Sequence, residues 1–190
     1  MMQTTNPMPW TVRDLDVLPQ SDDAYYELID GELFVTRSPH RKHQQVTGNI
    51  YSVLQRWSEE SGLGQAIPGP GVVPSDTTNV IPDVVWVSHE RLALLEDEAG
   101  HLTGFPELIV EVLSPEEQNI RRDRQAKRKL YSVQGVQEYW ICDRFTQQIE
   151  VYRRAGGQLA LVATLLEQDT LTSPLLPGFQ VSIQQLFPSK

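Results

Sequence analysis

The sequence predicts an α/β fold, a mixed β-sheet flanked by helices with an N-terminal β-hairpin. Three observations carry that expectation. Asp30-Gly31 stands between two short alternating runs, a strong signal for a two-residue hairpin. The runs "VVWV" at 84–87 and "LIVEVL" at 108–113 are apolar and β-branched enough to be strands covered on both faces. Around 107–143 a strand, a helix and a second strand succeed one another, which favours a parallel crossover within a mixed sheet.

Taken in order, Thr11 offers an N-cap for a short helix ended by Pro19. Residues 26–29 and 32–35 pair as the hairpin. Ser38 then caps a helix with Pro39 in its first turn, Val46, Ile50, Val53, Leu54 and Trp57 at helical spacing, and Gly62 at its end. Strands follow at 65–73, with a break expected near "PGPG", and at 80–87. The polar stretch 88–104 has room for a helix around 91–96. After the strand containing Glu111, a helix runs to Gly135, and "QEYWICD" is a strand. Strands at 148–154 and 159–165 flank the turn "AGGQ", and a last helical turn follows Ser182.

The 190 residues fit one domain spanning 1–190, long enough to bury a core without disulfides. No apolar run approaches the ~18–20 residues of a membrane span. "MMQTTNPMPW" lacks the pattern of a signal peptide, and Cys142 is the sole cysteine, so a cytoplasmic location is expected. Net charge is −9, which weighs against gripping a polyanion by charge alone. Acidic clusters stand at Asp22-Asp23, Glu59-Glu60 and Glu96-Asp97-Glu98. Six of the 16 basic residues fall between Arg121 and Lys129, a run whose commoner explanation is a solvated helix face.

Two acids stand out against apolar surroundings. Glu111 sits inside "LIVEVL", where an unpaired charge costs several kcal/mol, so it is an ion-pair member, a protonated acid or a metal ligand. Asp83 opens the apolar run after Pro82. Were the two strands neighbours, the carboxylates could converge on a hard divalent cation; each taken alone could equally be a paired strand-end acid. On the helix after Glu111, Ala126, Leu130 and Val133 on one side and Ile120 and Tyr131 on the other define an apolar face. Asp123 and Lys127 fall inside it, whereas Arg121, Arg128 and Lys129 point elsewhere. Lys127 can snorkel out, pair with Asp123 one turn away, or reach the sheet end beside Glu111. His43 lies on the apolar face of its helix, where a histidine is more often a hydrogen-bonded core residue. Glu27 could equally be a surface residue of the hairpin, near Glu32 across the turn. Trp57, Trp86 and Trp140 read as core.

Glu27 in "YELIDGEL", His43 in "HQQV", "PDVVWV", "PELIVEVLSP", Asp123 and Lys127 before Tyr131, and "GVQEYWICD" together resemble the Uma-type restriction endonuclease family of the PD-(D/E)XK nuclease superfamily. The resemblance covers a core of about 26–152 and implies a restriction-endonuclease-like fold. It implies that Asp83 and Glu111 are the motif acids, with the Val112 carbonyl as a further ligand, and that Glu27, His43 and Asp123 are auxiliary. The superfamily lysine belongs two residues after the glutamate, where this chain has Leu113; the resemblance implies that the role passes to the following helix, at Lys127. The implied activity is Mg²⁺-dependent hydrolysis of DNA, with Mn²⁺ as substitute, leaving a 5′ phosphate and a 3′ hydroxyl. Lys127 would orient or help deprotonate the attacking water. DNA is the expected partner, and a symmetric homodimer is compatible with it. Leu113 and the acidic balance support an alternative, a catalytically inactive module of the same fold that binds nucleic acid or a protein partner. A glycosidase using two carboxylates is weaker, since no sugar-stacking platform is evident.

Overall fold

The structure is a computed structural model that describes residues 8–19 and 24–188. Asp22-Asp23 and the first seven residues lie outside the described residues. Helix α1 (Val12–Leu15) is capped by Thr11 and stops well before Pro19. Strands β1 (Ala24–Ile29) and β2 (Glu32–Arg37) pair antiparallel in the expected register, Ile29 opposite Glu32. Asp30 and Gly31 both take positive φ, 51° and 81°, as a hairpin turn of this hand demands. The hairpin is longer than the apolar alternation suggested, because β2 continues to Arg37.

Helix α2 (Arg41–Ser61) begins later than expected. Its N-cap is His40, whose Nδ1 accepts from the Lys42 N–H at 3.1 Å, so Ser38 and Pro39 belong to the approach rather than to the helix. Gly62 ends it with φ 66°, a left-handed cap. Strand β3 (Gly64–Pro68) is broken from β4 (Val72–Ser75) at "GPG". The continuous strand expected over 80–87 is instead β5 (Thr78–Val80) and β6 (Val84–Ser88), in different sheets. Pro82, which has no N–H for a ladder, stands in the break. Asp83 therefore lies in the turn that enters β6.

Helix α3 (His89–Leu95) is capped by Ser88. Strand β7 (Leu108–Val112) is buried throughout and leads to α4 (Glu117–Arg121), a π-helical turn (Arg122–Lys127) and α5 (Arg128–Val133). Then come β8 (Glu138–Asp143), β9 (Gln148–Ala155), β10 (Gln158–Leu165), β11 (Thr170–Thr172), β12 (Gln180–Ser182) and α6 (Ile183–Leu186). The central sheet has the order β10-β9-β8-β7-β6-β3, and its β7–β8 pair is parallel across the helical crossover. A second sheet, β2-β1-β5-β4, carries the hairpin.

Strand alternation divides the core in two. Val110 and Val112 pack with Val46, Ile50 and Leu54 of α2 and with the C-terminal segment. Ile109 and Leu113 pack on the other face with Leu130, Tyr131, Tyr139 and Ile29. Glu111 shares that second parity, so it faces the crossover helices. Trp86 and Trp140 are buried in the first cluster and Trp57 packs against it. Val133, expected on the apolar face, is the last residue of α5 and is 73% exposed.

Candidate active site

Each candidate arrives from a different element. Strand β6 lies antiparallel to β7 with Val84 opposite Val110, which brings Asp83 alongside the end of β7. There Asp83 Oδ2 accepts the Val112 N–H at 2.7 Å. From α2, the His43 Nε2–H donates to the Val112 carbonyl at 2.8 Å and lies 3.4 Å from Asp83 Oδ2. Burial works to lower the His43 pKa, but the Asp83 hydrogen bond and charge outweigh it and raise it.

Glu111 is held from the crossover. Its Oε1 accepts from Lys127 Nζ at 2.8 Å and from the Tyr131 hydroxyl at 2.9 Å. Lys127 Nζ also lies 2.9 Å from Glu27 Oε1 and 3.9 Å from Asp123 Oδ1. Of the three outcomes open to Lys127, it reaches Glu111, with Asp123 the looser neighbour. Glu27 is 4% exposed, not a surface residue of the hairpin; it also accepts the Ile81 N–H at 2.9 Å and lies 3.2 Å from Arg122 Nη1. Arg122 Nε donates to Asp123 at 3.0 Å.

Arg122 is the residue that helical phase misses. In a straight α-helix it would leave the face that holds Lys127, but an i→i+5 turn puts the two one turn apart. Arg122, Asp123 and Lys127 are all buried there. Tyr139 anchors the turn from the sheet, its hydroxyl donating to the Asp123 carbonyl at 3.0 Å.

The buried charges set one another's protonation. Burial pushes Glu111 up to about 8; Lys127 opposes this, while Asp123, Asp83 and Glu27 reinforce it. Glu27 resists the same burial, because Lys127, Arg122 and the Ile81 N–H hold its pKa below the usual range. Asp123 is raised by burial against the pull of Lys127 and Arg122. Burial works to lower Lys127, yet the Glu111 and Glu27 charges raise its pKa above the ordinary lysine value. One lysine thus serves two glutamates, with Glu27 the ionised one and Glu111 the readily protonated one.

These groups line one cleft of about 340 Å³, with Asp83, Glu111, Val112, His43 and Lys127 in its wall. The donor chemistry fits a hard divalent cation: two carboxylates and a backbone carbonyl at one strand end. Among the described residues no cluster of three or more His, Cys, Asp or Glu forms a metal cage. Mg²⁺ does not need one, since it ordinarily binds one or two carboxylates and keeps several waters.

An antiparallel sheet with one parallel crossover, and with acids gathered at adjacent strand ends, is a restriction-endonuclease-like architecture. A protein from Anabaena variabilis ATCC 29413, described as a putative nuclease belonging to DUF820, superposes with TM-score 0.73 at 20% identity, over 94% of this chain and 98% of that one. The type IIG restriction endonuclease BpuSI matches at TM-score 0.39 and 12% identity, over 76% of this chain and 14% of its own length. The Uma2 family model, described as putative restriction endonuclease, matches residues 12–184, and the chain belongs to that family. No curated protein matches.

Proposed function

We propose that the protein is a divalent-metal-dependent endonuclease that hydrolyses DNA phosphodiester bonds in this cleft. The observation that carries the proposal is the Glu111–Lys127 contact of 2.8 Å in the same cleft wall as Asp83 and Val112, which supports a site that combines oxygen ligands with a buried cation. Asp83, Glu111 and the Val112 carbonyl would hold Mg²⁺, or Mn²⁺ in its place. The ion would supply charge compensation at the phosphoryl oxygens and a bound water of lowered pKa.

The chain's own residues divide the remaining work. Lys127 keeps its proton, so it serves as a fixed positive charge and hydrogen-bond donor rather than as a base. Glu27 and Asp123 hold the Lys127 ammonium from behind, and Arg122 holds those acids. Glu111 would hold the cation as a carboxylate, since a bound cation favours the ionised form that burial alone disfavours. His43 donates to the Val112 carbonyl and lies 3.4 Å from the Asp83 carboxylate, so it would steady both. Leu113, at the usual lysine position, is fully buried in the second core cluster and carries no charge, so Lys127 would be the cation beside Glu111.

The test is nicking of supercoiled plasmid by purified protein. Conversion to open circles with Mg²⁺ or Mn²⁺ and none in EDTA is expected. Activity that survives EDTA overturns metal dependence, and inactivity on varied DNA with metal bound favours the silent binding module.

A further inference from the structure

The basic run that composition singles out is largely engaged inside the molecule. Arg122 and Lys127 belong to the buried network, Arg124 pairs with Glu150 at 2.6 Å, and Arg128 lies 5.3 Å over the Tyr152 ring. A second basic stretch has the opposite character. From Leu33 to Ser58 the chain carries no Asp or Glu, although the whole protein has net charge −9. Within that window Arg37, Arg41 and Lys42 are exposed, and among the described residues none of the three has a side-chain ion pair or hydrogen bond.

Their placement is at the cleft. Arg37 closes β2 and lines the cleft. Arg41 and Lys42 occupy the first turn of α2, directly before His43 and Gln44, which line the cleft too. Cations in a first helical turn oppose the helix dipole, so local stability gives no reason for them there. The same dipole reinforces their pull on an anion.

We propose that Arg37, Arg41 and Lys42 form a phosphate-binding ledge that carries the DNA backbone past the cleft; this rests on the nuclease reading. The partner follows from charge complementarity. A run of evenly spaced phosphates satisfies three unpaired cations on an otherwise acidic protein, and it leads a neighbouring phosphodiester toward Asp83 and Glu111. Contacts of this kind position the strand without reading its sequence.

The test is binding of a fluorescent DNA duplex across a salt series in the Asp83→Asn background, read by anisotropy. Each phosphate contact contributes about 0.9 to the slope of log affinity against log salt, so Arg37→Gln/Arg41→Gln/Lys42→Gln should flatten that slope by about two to three. Arg121→Gln/Lys129→Gln, which alters exposed cations of the other run, should leave it nearly unchanged. Circular dichroism establishes that both variants are folded. If the triple variant keeps the parent slope, or if the double variant carries the loss, the ledge is wrong and the cleft assignment stands. If the unaltered chain binds no DNA at any salt, the ledge fails together with the nuclease reading.

Discussion

Replacing Lys127 with methionine keeps much of the side-chain volume and removes the charge, so the consequence follows from the contacts it leaves behind. Lys127 is 1% exposed and touches Glu111 at 2.8 Å and Glu27 at 2.9 Å. Glu27 still has Arg122 at 3.2 Å, whereas Glu111 loses its one ion-pair partner among the described residues and keeps the Tyr131 hydroxyl. One buried pair is therefore broken with one partner stranded, which costs about 3–5 kcal/mol. At a urea slope of about 2–3 kcal/mol/M, the midpoint falls by about 1–2.5 M. The deficit depends on pH, and its sign is fixed. Glu111 has a folded pKa of about 8 against 4.5 for the free side chain, and losing Lys127 raises it further. An acid whose folded pKa is raised contributes stability that is present below the unfolded value and is lost as pH rises through the folded one. Glu27, now below its ordinary value, also moves up. The gap between wild type and variant thus widens from pH 5.5 to pH 8.5. Urea denaturation followed by tryptophan fluorescence at those two pH values measures it. A gap that is equal at both, or under about 1 kcal/mol at pH 8.5, would refute the account of the buried network.

Lys127→Met should also lower plasmid nicking by about 10²-fold or more in protein shown to be folded, while Lys129→Ala, whose side chain is exposed, changes it little. Asp83→Ala should abolish Mn²⁺ binding in calorimetric titration; retention of wild-type affinity would remove Asp83 from the ligand set. Since a cation needs ionised Glu111, apparent Mn²⁺ affinity should rise by up to about tenfold per pH unit below about 8 and level off above it. A flat profile from pH 6 to 9 would count against Glu111 as a ligand. Tyr131→Phe deletes one buried donor to Glu111 and should cost about 1–3 kcal/mol in stability, measured by the same denaturation.

What could be read in advance was local. Asp30-Gly31 announces its hairpin because both turn residues need positive φ, and Glu111 announces itself as the charge in an apolar strand. The inward direction of Lys127 follows from helical phase, which stays close enough at that position despite the π-helical turn. Arg122 was not legible, since nothing in "RRDRQAKRK" signals an i→i+5 repeat. Nor was the burial of Glu27. A six-residue strand shows its alternation but not which face meets the crossover, and that depends on β5 pairing Leu28 with Asn79 from about fifty residues away. The split of 80–87 between two sheets was missed although Pro82 and Asp83 interrupt the apolar run there. The helix start moved from Ser38 to His40 for a smaller reason, namely that a histidine ring nitrogen can do what a serine hydroxyl usually does.

The most direct test of the cleft is the anomalous scattering of Mn²⁺ in crystals of the wild-type protein. The account predicts a peak about 2.1 Å from an oxygen each of Asp83 and Glu111 and from the Val112 carbonyl, with Lys127 still within hydrogen-bond reach of the Glu111 carboxylate. A fully loaded crystal with its Mn²⁺ elsewhere, and with Glu111 still bonded only to Lys127 and Tyr131, would contradict it.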